Sequence, residues 1–401
     1  MKTATDIVVV GGGIGGLAVA YGLAKYAGKK ITVLEQAPEF AEVGAGIQLA
    51  PNALRMLDML GVLEEVYAYS VFPRRHVFMD AIEGRELSPV NFGEAFRERY
   101  GYPYIVIHRS DLHSVLLEAC NSTPEVNTLS DHKVVDIRQD EKKAYVTCEN
   151  GAEFEADLVV GADGLWSTVR KVIVDDEPIC SSYVAYRGTV PMDEMKVQID
   201  WDEKYTWIGP GLHMVQYPIR QKKEINQVAV FKSSKYLEGE ETWGTPEELD
   251  EAYSKCCDTL LHSLKYMQRE RKWNMYDRDP IDNWSVGRVT LLGDAAHPMK
   301  QYLAQGGCQA LEDAISLTDK MIAYTDMEQV LSEYQKERIP RASKVQVGAR
   351  LWGDIKHLES QAGILLRNEL MLKRDGEDYE YLDWMYGAEN TPTLHNQTQK
   401  A

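Results

Sequence analysis

The sequence predicts an α/β protein: a Rossmann-like parallel domain, an inserted antiparallel sheet, and a helical C-terminal region. Three observations predict it. Asp6-Ile7-Val8-Val9-Val10 is a β-branched apolar run closed by glycines, as expected of a buried parallel strand. Between Cys180 and about Lys235 the pattern changes to period two, rich in Tyr, Val and Trp. From Leu303 to about Met371 the apolar residues return at helical spacing.

Taken in order, 17–26 reads as a helix and 30–35 as a second strand, which completes a βαβ unit. A helix is expected over 51–60, with Pro51 in its first turn. Another spans 111–120, capped by Ser110 or Asp111. Strands are expected at 134–138, 143–148 and 154–160, then at 183–190, 205–208, 213–219 and 226–231 in the inserted sheet. Helical spacing covers 246–266, a strand 288–292, and a helix starts near Ala304. The tail from Gly387 reads as loop or disorder. The expected division is 1–75, 101–179 and 272–330 for the parallel domain, 76–100 and 180–271 for the insert, and 331–401 for the helical region and tail.

With 401 residues the chain is long enough for two or three structural units. Lys plus Arg number 44 against 62 Asp plus Glu, a formal charge of −18, so neither nucleic acid nor an anionic membrane is an expected partner. An anionic substrate would therefore need local compensation. Cys120, Cys148, Cys180, Cys256, Cys257 and Cys308 are scattered, with no CxxC pair and no zinc spacing, so reduced thiols in a cytoplasmic protein and no metal are expected. No run of eighteen apolar residues occurs. Asp6 and the glycines that follow break up what would otherwise look like a signal peptide.

Gly11-Gly12-Gly13-Ile14-Gly15-Gly16 sits between the first strand and first helix. Gly11, Gly13, Gly15 and Gly16 permit a tight turn and close backbone approach to a pyrophosphate on the helix N-terminus. Glu35, with Gln36 beside it, ends the next strand, where an acid accepts hydrogen bonds from an adenosine ribose. This motif does not separate FAD from NAD. Two further segments run a strand into a glycine-aspartate turn: 157–164, with Asp163-Gly164, and 287–298, with Gly293-Asp294. Each alone is explained by a turn or a helix cap.

Together, in this order, the three segments resemble the fingerprints of the single-component (group A) flavoprotein monooxygenases. That resemblance implies a p-hydroxybenzoate hydroxylase-like fold, bound FAD, and NADH or NADPH as a transient cosubstrate without a second Rossmann domain. It places Asp294 on the flavin ribityl chain, Asp163 where both cofactors are contacted, and the helix start at Gly306-Gly307 under the flavin ring. Within the family the chain is most similar to 3-hydroxybenzoate 6-hydroxylases. The similarity runs through Glu42-Val43-Gly44-Ala45-Gly46, 104–113, Ala185-Tyr186-Arg187-Gly188-Thr189, Ile208-Gly209-Pro210, His213, Gln216-Tyr217-Pro218, 226–231, Met275-Tyr276-Asp277-Arg278 and Gln301-Tyr302-Leu303-Ala304.

The resemblance implies that NAD(P)H reduces FAD, O2 adds at flavin C4a, and the hydroperoxide hydroxylates 3-hydroxybenzoate para to its hydroxyl, giving 2,5-dihydroxybenzoate (gentisate). His213 and Tyr217, four apart on one strand, face one side of the sheet and bind the phenol. His213 is the expected proton acceptor, because an unperturbed His titrates at about 6.5 and a Tyr at about 10. Gln301 would sit beside the substrate. Arg109 would lie near the flavin phosphates or ribityl chain. Arg187 would reach the substrate carboxylate or NAD(P)H, or brace the sheet. Gln48 stands where 6-hydroxynicotinate 3-monooxygenases carry a histidine, and Met299-Lys300 depart from the 3-hydroxybenzoate pattern. The alternatives are decarboxylative hydroxylation of 6-hydroxynicotinate or salicylate, and a noncatalytic dinucleotide-binding regulator. A homodimer is implied by resemblance, although Trp352 and Trp384 would more often cover the cofactor domain than form an interface.

Overall fold

A computed structural model describes residues 3–40 and 45–394; Glu42-Val43-Gly44 and the end of the tail lie outside the described residues. The parallel sheet orders its strands Ser285–Val286, Val289–Leu291, Leu158–Gly161, Ile7–Val10, Ile31–Leu34 and Val126–Leu129. All pairs are parallel except the first, a short antiparallel hairpin. Ile7–Val10, Ile31–Leu34 and Leu158–Gly161 are buried throughout, because helices cover one face and other structure the second. Helix Ile14–Ala27 packs against Gly306–Ala323 and Arg109–Asn121. A Cβ on Gly22 would lie 2.7 Å from Thr318 Oγ1, so glycine sets how closely two of these helices approach.

The expected strand over 154–160 is two strands in two sheets. Glu153–Ala156 belongs to a four-stranded sheet with Thr3–Ala4, Ala144–Cys148 and Val134–Gln139, while Leu158–Gly161 joins the parallel one. The amides of Asp157 and Leu158 both donate to Asp6 O, at 2.9 and 3.3 Å, and turn the chain between the layers. Likewise 246–266 divides into Pro246–Tyr253, started by a Thr245–Glu248 capping box, and Asp258–Leu264. Helix Arg109–Asn121 is capped not by Ser110 or Asp111 but by His108, whose side chain accepts from the Ser110 amide.

The inserted sheet has seven strands, ordered Lys272–Asp277, Ile179–Pro191, Glu224–Lys232, Leu212–Ile219, Lys204–Gly209, Arg75–Asp80 and Glu86–Asn91. Only Lys204–Gly209 and Arg75–Asp80 pair in parallel. Lys272–Asp277 falls beyond the expected boundary at 272, yet it forms an edge of this sheet. One face of the sheet buries Tyr186, Trp207, Met214 and Phe231 against Leu249, Tyr253 and Leu260 of the two helices that follow. The C-terminal region comprises Met327–Lys356, 30 residues long, and Gln361–Leu372. Among the described residues, no helix is long and apolar enough to cross a membrane.

Candidate active site

A cavity of about 1060 Å³ separates the C-terminal ends of the parallel strands from the other face of the seven-stranded sheet. Gly11, Gly13, Gly15, Glu35, Gln36, Asp163, Asp294, Gly306 and Gly307 line one side of it, together with Gln48 and Arg109. His213, Tyr217 and Gln301 line the other. Gly16 does not reach the cavity; its own Cβ would lie 2.0 Å from Gly11 O, so it serves the turn by packing.

The cofactor side is built from backbone. Gly11 has φ +106°, and a Cβ there would meet Ala162 O at 2.3 Å. The Gly12 amide donates to Glu35 Oε2 at 2.9 Å, while Glu35 Oε1 accepts from Ala37 N. Helix Ile14–Ala27 starts at Gly13 with no side-chain cap, and Gly306–Ala323 starts at Gln305 with none either. Two helix N-termini therefore turn unsatisfied amides and positive ends toward one cavity. Asp294 opens onto that cavity rather than onto bulk water. Enclosure by protein raises its pKa, against the opposing pull of His297 and Arg109. An uncapped glycine turn, an acid beside it and a second helix end facing Asp294 fit a long anionic dinucleotide such as FAD.

Asp163 lines the cavity, but its carboxylate is also a cap: it accepts from Ser167 Oγ at 2.5 Å and Thr168 N at 2.7 Å. Behind Asp294, the helix start is locked by buried charge. Arg338 donates to Glu312 and Asp313, both at 2.7 Å, and His297 Nε2 lies 2.6 Å from Asp313 Oδ2, which also accepts from Gly293 N at 2.9 Å.

On the sheet side, His213, Val215 and Tyr217 alternate with Met214 and Gln216, which point away. Gly46 passes so close that a Cβ would sit 2.5 Å from the Tyr217 ring. Tyr104 donates to Gln48 Oε1 at 2.9 Å, and burial pushes the Tyr217 hydroxyl pKa up. Gln301 Oε1 accepts from Arg187 Nη2 at 2.5 Å, and the Arg187 guanidinium sits over Trp273. Arg187 thus braces Gln301 while lining the cavity.

His213 Nδ1 lies 2.7 Å from His357 Nε2, and His357 stacks on Tyr183. Burial first, then the charges of Lys356, His357 and Lys204, holds the His213 pKa well below its usual value. The expectation of a base titrating near 6.5 is therefore corrected. His213 is a neutral imidazole, useful as an oriented acceptor rather than as a group poised to titrate. Sequence reading missed His357, Lys356, Lys204, His76 and Arg374, the last four of which line the cavity. The strand expected over 205–208 begins at Lys204, one residue earlier, so Lys204 lay outside the expected element.

With this geometry in hand, comparisons with known proteins agree. A family profile described as "FAD binding domain" matches residues 4–349. The chain is 38% identical over 383 residues, 95% of each chain, to the 3-hydroxybenzoate 6-hydroxylase of Polaromonas naphthalenivorans. It is 31% identical over 352 residues, 86% of this chain and 91% of the other, to the 6-hydroxynicotinate 3-monooxygenase of Bordetella bronchiseptica. HpxO of Klebsiella pneumoniae, solved with FAD and uric acid, superposes with TM-score 0.84 at 22% identity, covering 97% of both chains. Fold and site define an FAD-dependent aromatic monooxygenase. The chain belongs to the FAD binding domain family.

Proposed function

We propose that the chain hydroxylates 3-hydroxybenzoate para to its hydroxyl, forming 2,5-dihydroxybenzoate with NADH or NADPH and O2. Bound FAD supplies the redox chemistry, taking hydride from the nicotinamide and activating O2. Gly11, Gly13, Gly15, Glu35 and Gln36 would hold its adenosine and pyrophosphate. Arg109, Asp163, Asp294, Gly306 and Gly307 would hold the rest, with Gln48 at the edge of the ring site.

The observation that carries the reading is the wall opposite: His213 and Tyr217 on one strand, with Gln301 held by Arg187, all facing the cofactor side. A phenolate pushes electron density to its ortho and para carbons, so attack on the ring needs a strongly accepted phenol proton. In the tautomer whose Nδ1–H donates to His357 Nε2, His213 Nε2 carries the lone pair that would accept that proton. Tyr217 would orient the phenol oxygen, and Gln301 would hold the ring. Residues 76–100 and 180–271 would form the substrate domain, extended by Lys272–Asp277.

A second reading, decarboxylative hydroxylation of 6-hydroxynicotinate, is favoured by the Bordetella bronchiseptica relative. Turnover of 3-hydroxybenzoate, 6-hydroxynicotinate and salicylate, with products identified, tests both. Release of CO2, or no turnover of 3-hydroxybenzoate, overturns the first.

A further inference from the structure

The cavity carries a group of cations that the proposed chemistry does not use. Lys204 and Lys356 are each 3% exposed, and both line it. His76 and Arg374 line it too. Lys204 Nζ lies 2.8 Å from His76 Nε2. On the sheet, Lys204 is one step beyond the Tyr205–Gln216 pair, which sets it opposite Tyr217. Lys356, at the end of the helix Met327–Lys356, donates to Tyr302 O at 3.3 Å and lies over the Tyr302 ring. Arg374 Nε and Nη2 are buried with no hydrogen-bond partner.

Among the described residues, no carboxylate forms an ion pair with Lys204, Lys356 or Arg374. Asp378 attracts Arg374 from a distance, and no acid is close enough to relieve either lysine. Buried charge is costly unless paired, and a chain of net charge −18 does not lack for acids to pair it. Two lysines and an arginine on one cavity wall, without carboxylate partners, define a place where an anion completes the structure.

We propose that Lys204 and Lys356, with His76 and Arg374 beside them, form the subsite that takes the carboxylate of the aromatic acid. The assignment rests on the reading of the cavity as the hydroxylation site, and it names what makes the substrate an acid rather than a neutral phenol. Apolar Phe78 and Val215 line the same cavity and would flank the ring between the carboxylate and the His213 end. Electrostatics agree: burial pushes both lysines down, and each adds to the strain on His76. A bound carboxylate removes that strain, so the site favours anions specifically.

The test is equilibrium titration of the FAD-loaded protein with 3-hydroxybenzoate, salicylate and 6-hydroxynicotinate, each against its primary amide. Binding is read from flavin absorbance and from tryptophan fluorescence. At least one acid is expected to bind ten or more times tighter than its amide. Lys356→Met and Lys204→Met are expected to weaken acid binding about tenfold or more and to leave amide binding within about twofold. Equal binding of acid and amide by the unaltered protein overturns the proposal, and that result does not depend on any variant folding. So does a parallel loss of acid and amide in the variants, which would mark the lysines as merely structural. A chain that shows the acid preference but makes a product other than 2,5-dihydroxybenzoate keeps the subsite and discards the substrate assignment. The two failures are therefore distinguishable.

Discussion

His213 is buried to 1% exposure and bonded through Nδ1 to His357, so its neutral form is fixed by surroundings and not by solution pH. Replacing it by alanine should cut hydroxylation by roughly 100- to 10,000-fold, the usual cost of losing a proton acceptor. Flavin reduction should change far less, and NAD(P)H oxidation should be diverted into hydrogen peroxide, which a coupled peroxide assay reads. Because the pKa is depressed, the hydroxylation rate at saturating acid should show no inflection near pH 6.5; a clear inflection there would put charge on His213 that its environment opposes. Lys356 behaves differently. Burial pushes it down to about 7, so it is cationic below that pH and neutral above it. The groups around it are His76, Lys204, His213, His357 and Arg367, none of them an acid. Affinity for an aromatic acid should hold steady below pH 7 and weaken above it, by at most about tenfold per unit for one linked proton. Titrations between pH 6 and 9 check the sign.

Elements carry the cofactor site through two devices, a glycine turn and a buried charge lock. Gly11→Ala puts a methyl 2.3 Å from Ala162 O at φ +106°, so the turn must open and the protein should purify with little or no yellow flavin. Arg338→Met removes the buried arginine that pairs with both Glu312 and Asp313, a loss of about 3–5 kcal/mol that urea unfolding would report. Burial alone would raise the Asp313 pKa, but His297 and Arg338 outweigh it and hold it at about 2. A depressed carboxylate stabilises the fold above its ordinary pKa of about 3.9 and loses that contribution as pH falls toward 2. These devices differ in how legible they were. The glycine turn, Glu35 and the Asp294 loop could be read because phosphate binding imposes local spacing. The charge lock could not, because His297, the Glu312-Asp313 pair and Arg338 meet only through tertiary packing. The inserted sheet was legible in four strands from their alternation. Arg75–Asp80 and Glu86–Asn91 were not, since Arg75-His76 and Glu86 dilute the apolar pattern. The cationic wall was missed because its members come from two strands, a helix end and a loop that meet only through tertiary packing.

At the scale of the molecule, one apolar surface serves the cavity only in part: Leu351 and Ile355 line it, while Val347 does not. Val347, Leu351 and Ile355 recur every four residues along the helix Met327–Lys356, and they are 42%, 58% and 43% exposed. Helix Gln361–Leu372 adds Leu365, Leu366 and Leu370, each 59% exposed or more. Large exposed apolar side chains gathered on two helices point to an interaction surface. Trp352 and Trp384 both line the cavity and pack against the apolar cluster that holds Phe78 and Tyr217. The leucines do not share that role in full: Leu365, Leu366 and Leu370 are not among the cavity-lining residues. A second copy of the same chain would bury all of them through one twofold contact, since such an interface needs only a single self-complementary patch. Light scattering should then give about twice the 45.4 kDa of one chain. Leu366→Glu combined with Leu370→Glu should halve that mass without loss of bound flavin, because neither side chain touches the cavity. A mass of one chain for the unaltered protein at micromolar concentration would reject the dimer and leave the leucines to another partner.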